Sequence, residues 1–457
     1  MKMMIAEIAK AVSAENDVTG YQDVELTSVA FDSRHLKPGA LFVPLVGNQD
    51  GHRFIDSAIQ NGAQATFWQR GHANQPTNFP VIVVADPLKA LQDLSRYYLN
   101  KINPKVVAIT GSNGKTTTKD MVASVLGTQF NVTKTHANFN NEIGVPVTIL
   151  DMGANTEVLV VEMGMDRPGQ LDFLSRLVQP DVAIITMIGE AHIEFFGTRS
   201  KIADAKVEIL NGLKADGTFI YDGDEPLLSQ RAAMVDFDQL TFGRNGVNDI
   251  YPTEIHDQPA QTSFVTNKWK DFTFTIPMIG EYNVNNALAA VLTGALFHLR
   301  PESIRHGLNE VHLTANRTEW LTGNQGEAIL SDVYNSNPTA AKEVLHAFAE
   351  TKTTGKRIAV LGDMLELGVQ SKAMHESLAE SLNPALTADI FLIGTDILAL
   401  RDKLAAKYPA SALHYYTKDQ LEQLTNDLQK EIQHDDMVLL KASHGIHLET
   451  VLNNLVN

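Results

Sequence analysis

Val106-Val-Ala-Ile-Thr-Gly-Ser-Asn-Gly-Lys-Thr-Thr-Thr118 is the stretch on which the reading of the whole chain turns. A short apolar strand runs into a turn bracketed by Gly111 and Gly114, then Lys115, three threonines and a helical pattern from Lys119 onward. That order aims backbone N–H groups and a helix N-terminus at one spot, the arrangement by which proteins hold polyphosphate. Lys115 is placed to reach the β- and γ-phosphates, and the Thr116 hydroxyl to sit on Mg²⁺. The usual pattern G-x-x-x-x-G-K-[ST] wants a glycine where Ile109 stands, so the match is to a shorter loop, Gly111-x-x-Gly114-Lys115-Thr116. The plain alternative is an ordinary strand–turn–helix corner, but strand, turn, lysine and threonine all fall in register.

Downstream, Val158-Leu-Val-Val-Glu-Met163, Val182-Ala-Ile-Ile-Thr-Met187 and Thr218-Phe-Ile-Tyr221 are short, β-branched runs, apolar on both faces. Such runs are expected of buried parallel strands. Residues from about Asp249 to Ile279 alternate instead, as in Phe272-Thr-Phe-Thr-Ile276, and read as a few antiparallel strands appended to that sheet. A helix follows from near Asn283 through Leu292. Upstream, Leu41–Leu45 and Val81–Val84 are short apolar runs, with helical patterns at Ile55–Asn61 and Leu88–Leu99, and Pro104 marks a junction. After about Leu313 a second alternation begins, with strands at Ala328–Ser331, Arg357–Leu361, Asp389–Ile393 and Met437–Lys441. The expected class is α/β in three domains. Residues 1–103 form a small N-terminal α/β domain, 104–314 a central domain with the mostly parallel sheet of a phosphate-loop ATPase, and 315–457 a Rossmann-like domain.

Length and composition agree with this division. A chain of 457 residues exceeds one core of ordinary size. Hydrophobic content of 44% against 20% charged describes a globular protein, and the formal charge of −17 with no long basic block argues against nucleic-acid or membrane-surface binding. The absence of cysteine excludes disulfides, thiolate metal sites and a Cys nucleophile. No stretch approaches the ~20 apolar residues of a membrane span. Glu7 and Lys10 interrupt the N-terminal apolar pattern, so it does not read as a signal peptide, and a cytoplasmic protein is expected.

The discriminating chemistry lies beyond the loop. Glu162, closing a buried strand beside the phosphate loop, is placed to hold Mg²⁺. His192 and Glu194, in Gly189-Glu-Ala-His-Ile-Glu-Phe-Phe-Gly197, follow the next strand and reach the same sheet edge. Asn138-Phe-Asn-Asn141 offers three side-chain amides to a polar ligand, although turn chemistry alone also favours asparagine.

Together these stretches resemble the Mur ligase superfamily. The resemblance is carried by Gly111–Lys119, Asn138–Asn141, Glu162-Met-Gly-Met165, His192 with Phe196-Gly197, and Asn283-x-x-Asn286-Ala-Leu-Ala-Ala290. Asp32-Ser-Arg34 and Gly47-x-x-x-Asp-Gly-His52 match the family's N-terminal domain. Asp332-Val-Tyr-Asn-Ser-Asn-Pro338 and Gly362-Asp-Met-Leu-Glu-Leu-Gly368 narrow it to the member that joins D-alanyl-D-alanine to UDP-MurNAc-tripeptide. The resemblance implies an ATP- and Mg²⁺-dependent, amide-forming enzyme of peptidoglycan precursor synthesis, monomeric and acting through an acyl phosphate. It places ATP on Gly111, Ser112, Asn113, Gly114, Lys115, Thr116 and Thr117, with Asn283 and Asn286 near the adenine and Arg317 and Asp332 completing the site. Thr116 and Glu162 would hold one Mg²⁺, and His192 a second, supported by Lys206 as a carbamate. Lys115, His192 and Lys206 are thereby the catalytic candidates. Ser28, Asp32, Ser33 and Arg34 match the uridine end of the substrate. Asn138, Asn140 and Asn141, with Tyr334, Asn335 and Asn337 of the third domain, are the remaining substrate candidates.

Three positions depart from the family pattern. Tyr282 stands where histidine is common, His444 replaces arginine in Lys441-Ala-Ser-His444, and Asp204 lies where relatives often carry a second lysine. The rivals are the tripeptide-forming member, expected to carry a different third-domain signature, and a folyl-polyglutamate ligase, which would lack the N-terminal domain. Outside the superfamily stands a phosphate-loop switch without ligase chemistry.

Overall fold

Five of the six residues of the strand Lys105–Thr110 are buried, as its apolar run requires. In this computed structural model, which describes residues 1–258, 260–314 and 317–456, the strand pairs in parallel with Val158–Glu162. That strand in turn pairs in parallel with Val132–Lys134. The six-stranded sheet they belong to runs, in spatial order, Asp238–Phe242, Thr218–Asp222, Val182–Ile185, Lys105–Thr110, Val158–Glu162 and Val132–Lys134.

By its contacts the chain divides into two compact units, Met1–Thr110 with Gln129–Ile184 and Glu208–Phe219, and Gly111–Thr128 with Ile185–Val207 and Ile220–Asn457. In the first unit, Ser28–Ala30, Ala40–Phe42, Ala63–Gln69 and Val81–Val84 form a four-stranded parallel sheet in that order. Phe42, Ile55, Ala58, Trp68 and Val81 pack its core. Beside it, Asp50 receives hydrogen bonds from two histidines. His52 Nδ1 lies 2.8 Å and His72 Nε2 2.9 Å from its two carboxylate oxygens, and the two rings stack with centroids 3.9 Å apart.

In the second unit the helix Lys115–Leu126 starts four residues before the expected Lys119. Gly114 forms its N-cap at φ 80°, so the chain passes straight from turn to helix. The low helix propensity of the threonines is overridden by burial of Thr116 and Thr118 against the rest of the unit. The helices Tyr282–Leu296 and Pro301–Asn309 pack on it. Pro252–Gln258, Gln261–Thr266 and Thr273–Ile276 are antiparallel as expected, but they make a separate three-stranded sheet and do not extend the parallel one.

The remaining sheet of this unit runs Glu319–Thr322, Ala328–Asp332, Met437–Lys441, Arg357–Gly362, Asp389–Ile393 and Leu413–Tyr416, all parallel except the first pair. Its four central strands are those expected, and the two edges are additional. Asp363, just past one strand, accepts the backbone N–H groups of Thr395 and Ile397 at 2.9 and 2.8 Å and has Lys418 Nζ at 3.4 Å. It thereby ties the loops at the ends of two neighbouring strands. Position 315, the expected domain boundary, lies outside the described residues. Among the described residues no helix is long and apolar enough to cross a membrane.

Candidate active site

The turn from Gly111 to Thr116 has the geometry of an anion cradle. At Gly114 the backbone is left-handed, and a Cβ there would lie 2.3 Å from Asn286 Oδ1. At Gly111 a Cβ would fall 1.8 Å from Thr186 Oγ1. Only glycine fits either place. The Thr186 hydroxyl donates to Asn113 O at 2.5 Å, and Ser112 N–H donates to Met187 O at 2.9 Å, so the next strand's end braces the turn. Lys115 Nζ folds back over it, donating to Gly111 O at 2.8 Å and Ser112 O at 3.3 Å.

A cavity of about 580 Å³ opens beside the turn, in the size range of small-molecule sites. It is lined by Asn113, Gly114 and Thr117 and, among others, by Asn283, Asn286 and Arg317. Asn283 is buried and does not project freely. Its amide donates to Ile279 O at 2.8 Å and its carbonyl accepts Asn286 Nδ2 at 3.1 Å. It orients Asn286, which lines the cavity and accepts Thr118 Oγ1 at 3.2 Å. Arg317 stacks over the Tyr334 ring at 4.0 Å. Asp332 and Asn335 also line the cavity. The buried Lys441 Nζ joins them, donating to Asp332 Oδ2 at 2.5 Å and to Asn335 O at 2.9 Å.

Asn337 is occupied twice. It caps the helix Pro338–Glu350 through Ala340 N–H, and it exchanges side-chain hydrogen bonds with Asn113. A second tie joins Thr339 Oγ1 to Glu190 Oε2 at 2.7 Å. Tyr282, the departure from the family histidine, lines the same cavity, and burial raises its phenol well above the ordinary value.

Lys206 is buried in the helix Arg199–Val207. Burial first, and then the charge of Lys115, push its ammonium far below the usual lysine range. A neutral amine is the form that adds CO₂, and a carbamate would replace an unfavourable buried cation with oxygens able to bind a divalent metal. Lys206 therefore fits the part expected of it. His192 begins the short helix Ile193–Phe196, and its Nδ1 is hydrogen-bonded to Glu366. Asp204, the third departure, pairs with Arg231 Nη2 at 2.5 Å.

In the first unit Glu162 is buried at its strand end and accepts Asn140 Nδ2 at 2.8 Å. Asn141 Oδ1 accepts Gly144 N–H at 2.9 Å at the start of the helix Gly144–Leu150, and Asn138 is exposed. Two of the three amides thus serve the local structure. Arg34, highly exposed, forms a 2.7 Å ion pair with Asp32, whose carboxyl it holds well below the usual range. Ser33 is buried, and the Ser28 hydroxyl is buried without a hydrogen-bond partner among the described residues.

Sequence reasoning missed Arg244, Asp222 and Glu343 in the cavity wall. Burial lifts the carboxyls of Asp222 and Glu343 to about 7. None of the three left a trace: Glu343 is half-buried, off the face of its helix that buries Ala341, Val344, Leu345 and Phe348.

An anion-cradling turn, a nucleotide-sized cavity and a further α/β sheet closing that cavity define a nucleotide-binding enzyme of the phosphate-loop class. Residues 25–99 match the model of the Mur ligase family catalytic domain, 109–294 the Mur ligase middle domain, and 316–444 the Mur ligase glutamate ligase domain. A UDP-N-acetylmuramoyl-tripeptide–D-alanyl-D-alanine ligase of Bacillus subtilis (strain 168) is 40% identical over 463 residues, covering 100% of this chain and 99% of the relative. A crystal structure of MurF from Acinetobacter baumannii is similar with a TM-score of 0.86 at 29% identity, covering 100% of this chain and 99% of that one. MurF ligase from Thermotoga maritima in complex with ADP is similar with a TM-score of 0.79 at 29% identity, covering 93% and 96%. The chain belongs to the Mur ligase family.

Proposed function

We propose that this chain is an ATP-dependent ligase that adds D-alanyl-D-alanine to UDP-N-acetylmuramoyl-tripeptide, an amide-forming step of peptidoglycan precursor synthesis. The supporting observation is one cavity lined both by the glycine-bracketed turn and by Asp332 and Lys441 of the terminal sheet with Asn335 just beyond its strand, where a nucleotide would face a second reactant. The full-length likeness to the Bacillus subtilis ligase supports the choice of substrates.

A carboxylate does not condense with an amine without activation. The tripeptide's terminal carboxylate attacks the γ-phosphate of ATP, giving an acyl phosphate and ADP. The dipeptide's amine then attacks the acyl carbon, and phosphate leaves as the tetrahedral adduct collapses. Lys115 and the N–H groups of the turn offset the charge that both steps gather at the phosphate. Asn286, held by Asn283, orients the base, and Arg317 stacked on Tyr334 stands at the cavity's edge. In the second unit, Thr116, His192 and carbamylated Lys206 would hold Mg²⁺; Glu162, in the first unit, carries the same assignment from the sequence. Bound Mg²⁺ would supply Lewis-acid stabilisation of phosphoryl charge.

Residues 1–103 are assigned to the nucleotide-sugar-peptide, with Ser28, Asp32, Ser33 and Arg34 at its uridine end, 104–314 to ATP, and 315–457 to the dipeptide. The family models' matched segments support these boundaries. A cytoplasmic monomer is the accompanying proposal. Phosphate release from ATP that requires both UDP-MurNAc-tripeptide and D-alanyl-D-alanine tests the reading. Slow hydrolysis indifferent to both would indicate a phosphate-loop switch instead.

A further inference from the structure

His192 and Glu366, distant in sequence, meet across the second unit in a contact that the reaction as derived does not use. Both hold left-handed backbone conformations, φ 63° and φ 61°, uncommon for residues other than glycine. The Glu366 carboxylate is hydrogen-bonded to His192 Nδ1, and the Glu366 carbonyl accepts Glu194 N–H at 3.0 Å. Gly368, also left-handed at φ 56°, approaches so closely that a Cβ there would lie 3.3 Å from the Glu194 Cα. One side-chain bond, one backbone bond and one close approach therefore bring the loop after the strand Arg357–Gly362 onto the turn that carries His192.

We propose that Glu366 is a positioning residue for His192: by accepting Nδ1–H it fixes the imidazole tautomer and leaves the Nε2 lone pair for a divalent cation. The inference rests on the ligase reading, in which His192 holds Mg²⁺. A carboxylate on the remote nitrogen of a ligating histidine orients the ring and increases its basicity as a ligand. Here the orienting group comes from the terminal sheet and the ligand from the turn beside the phosphate loop. The metal site is then fully set only while those two segments are in contact, which couples cation binding to engagement of the segment that faces the second substrate.

The experiment uses the full chain. In the metal-free protein, labelled with ¹⁵N-histidine and held above the pH at which the ring titrates, His192 should resonate as the Nδ1–H tautomer. Glu366→Ala should shift it toward Nε2–H, and Glu366→Gln, which keeps an acceptor, should hold it. In turnover, Glu366→Ala should lower kcat by about 10- to 100-fold and raise the Mg²⁺ needed for half-maximal rate, with KM for ATP unchanged. Combined with His192→Ala, it should add nothing further, because it acts through that ring. An unchanged tautomer in Glu366→Ala, or losses that multiply in the double variant, would overturn the proposal. A wild-type chain that fails to ligate overturns the ligase reading separately, since the tautomer is read without substrates. If Glu366→Ala does not fold, the tautomer and Mg²⁺ dependence of Glu366→Gln and Glu366→Asp decide, a loss of the Nδ1–H form in Glu366→Gln counting against it.

Discussion

Asn113 and Asn337 are bonded to each other in both directions, Asn337 Nδ2 donating to Asn113 Oδ1 at 2.6 Å and Asn113 Nδ2 to Asn337 Oδ1 at 3.2 Å. One belongs to the phosphate-cradling turn, the other caps a helix of the terminal sheet, so a single amide serves helix stability and site assembly at once. The two roles separate by substitution. Asn337→Asp keeps a capping oxygen for Ala340 N–H but loses the amide donor to Asn113. We expect a melting temperature close to wild type with a fall in kcat. Asn337→Ala should lose the cap as well, at about 1 kcal/mol of stability, measurable by thermal unfolding.

Lys206 should be carbamylated at neutral pH. Its pKa is depressed by burial and then by Lys115, which favours the neutral, nucleophilic amine over the ammonium that an ordinary lysine carries. Protein exposed to ¹³C-bicarbonate should show a carbamate resonance that Lys206→Ala lacks. Stripping CO₂ under mild acid should suppress activity until bicarbonate is restored. Full activity of Lys206→Ala would exclude a part for it in the metal site.

Asp222 and Glu343 should make nucleotide binding depend on pH. Burial raises both carboxyls to about 7, from ordinary values of 3.8 and 4.5. A raised folded-state pKa gives a contribution present in full below the ordinary value and lost as pH rises through about 7. Polyphosphate placed in the same cavity raises them further. ATP binding should therefore take up protons and weaken as pH rises from about 6 to 8. Calorimetry in buffers of different ionisation enthalpy measures the uptake, and Asp222→Asn with Glu343→Gln should flatten the profile.

The stacked histidines of the N-terminal domain should titrate in opposite directions. Gln69 N–H donates to His52 Nε2 at 3.3 Å, which leaves Nδ1–H to donate to Asp50. Burial lowers the His52 pKa, whereas hydrogen bonds to Ala73 O and then to Asp50 raise that of His72. His72 contributes stability below its ordinary value of 6.5, lost as pH rises through its raised pKa. His52 does the reverse, its contribution disappearing as pH falls through its lowered pKa. Histidine Cε1–H resonances followed by NMR should show the split, and Asp50→Asn should bring His72 back toward its ordinary value.

Much of this was legible in the residues. The strands at Val106, Val158, Val182, Arg357, Asp389 and Met437 are apolar on both faces, a pattern that only a covered parallel sheet explains. The glycines of the cradle are forced by close approaches at Thr186 and Asn286. What escaped depends on distant partners. Glu319–Thr322 and Leu413–Tyr416 are short edge strands, mostly half-buried, without a decisive period. Arg244, Asp222 and Glu343 reach the cavity from segments that carry no local motif. Glu366 stood inside a recognised stretch, but its role lies in a histidine 174 residues away. Asn140 and Asn141 were noticed as amides, and their work at Glu162 and at a helix start is visible only once the chain is folded.

Asp363 gives the contact at Glu366 its mechanical character. Because that carboxylate anchors the neighbouring loop through Thr395 and Ile397, the segment ahead of Glu366 has little freedom to flutter by itself. Those bonds fix the start of the loop that carries Glu366, so its hold on His192 is rooted in the terminal sheet from the loop's first residue.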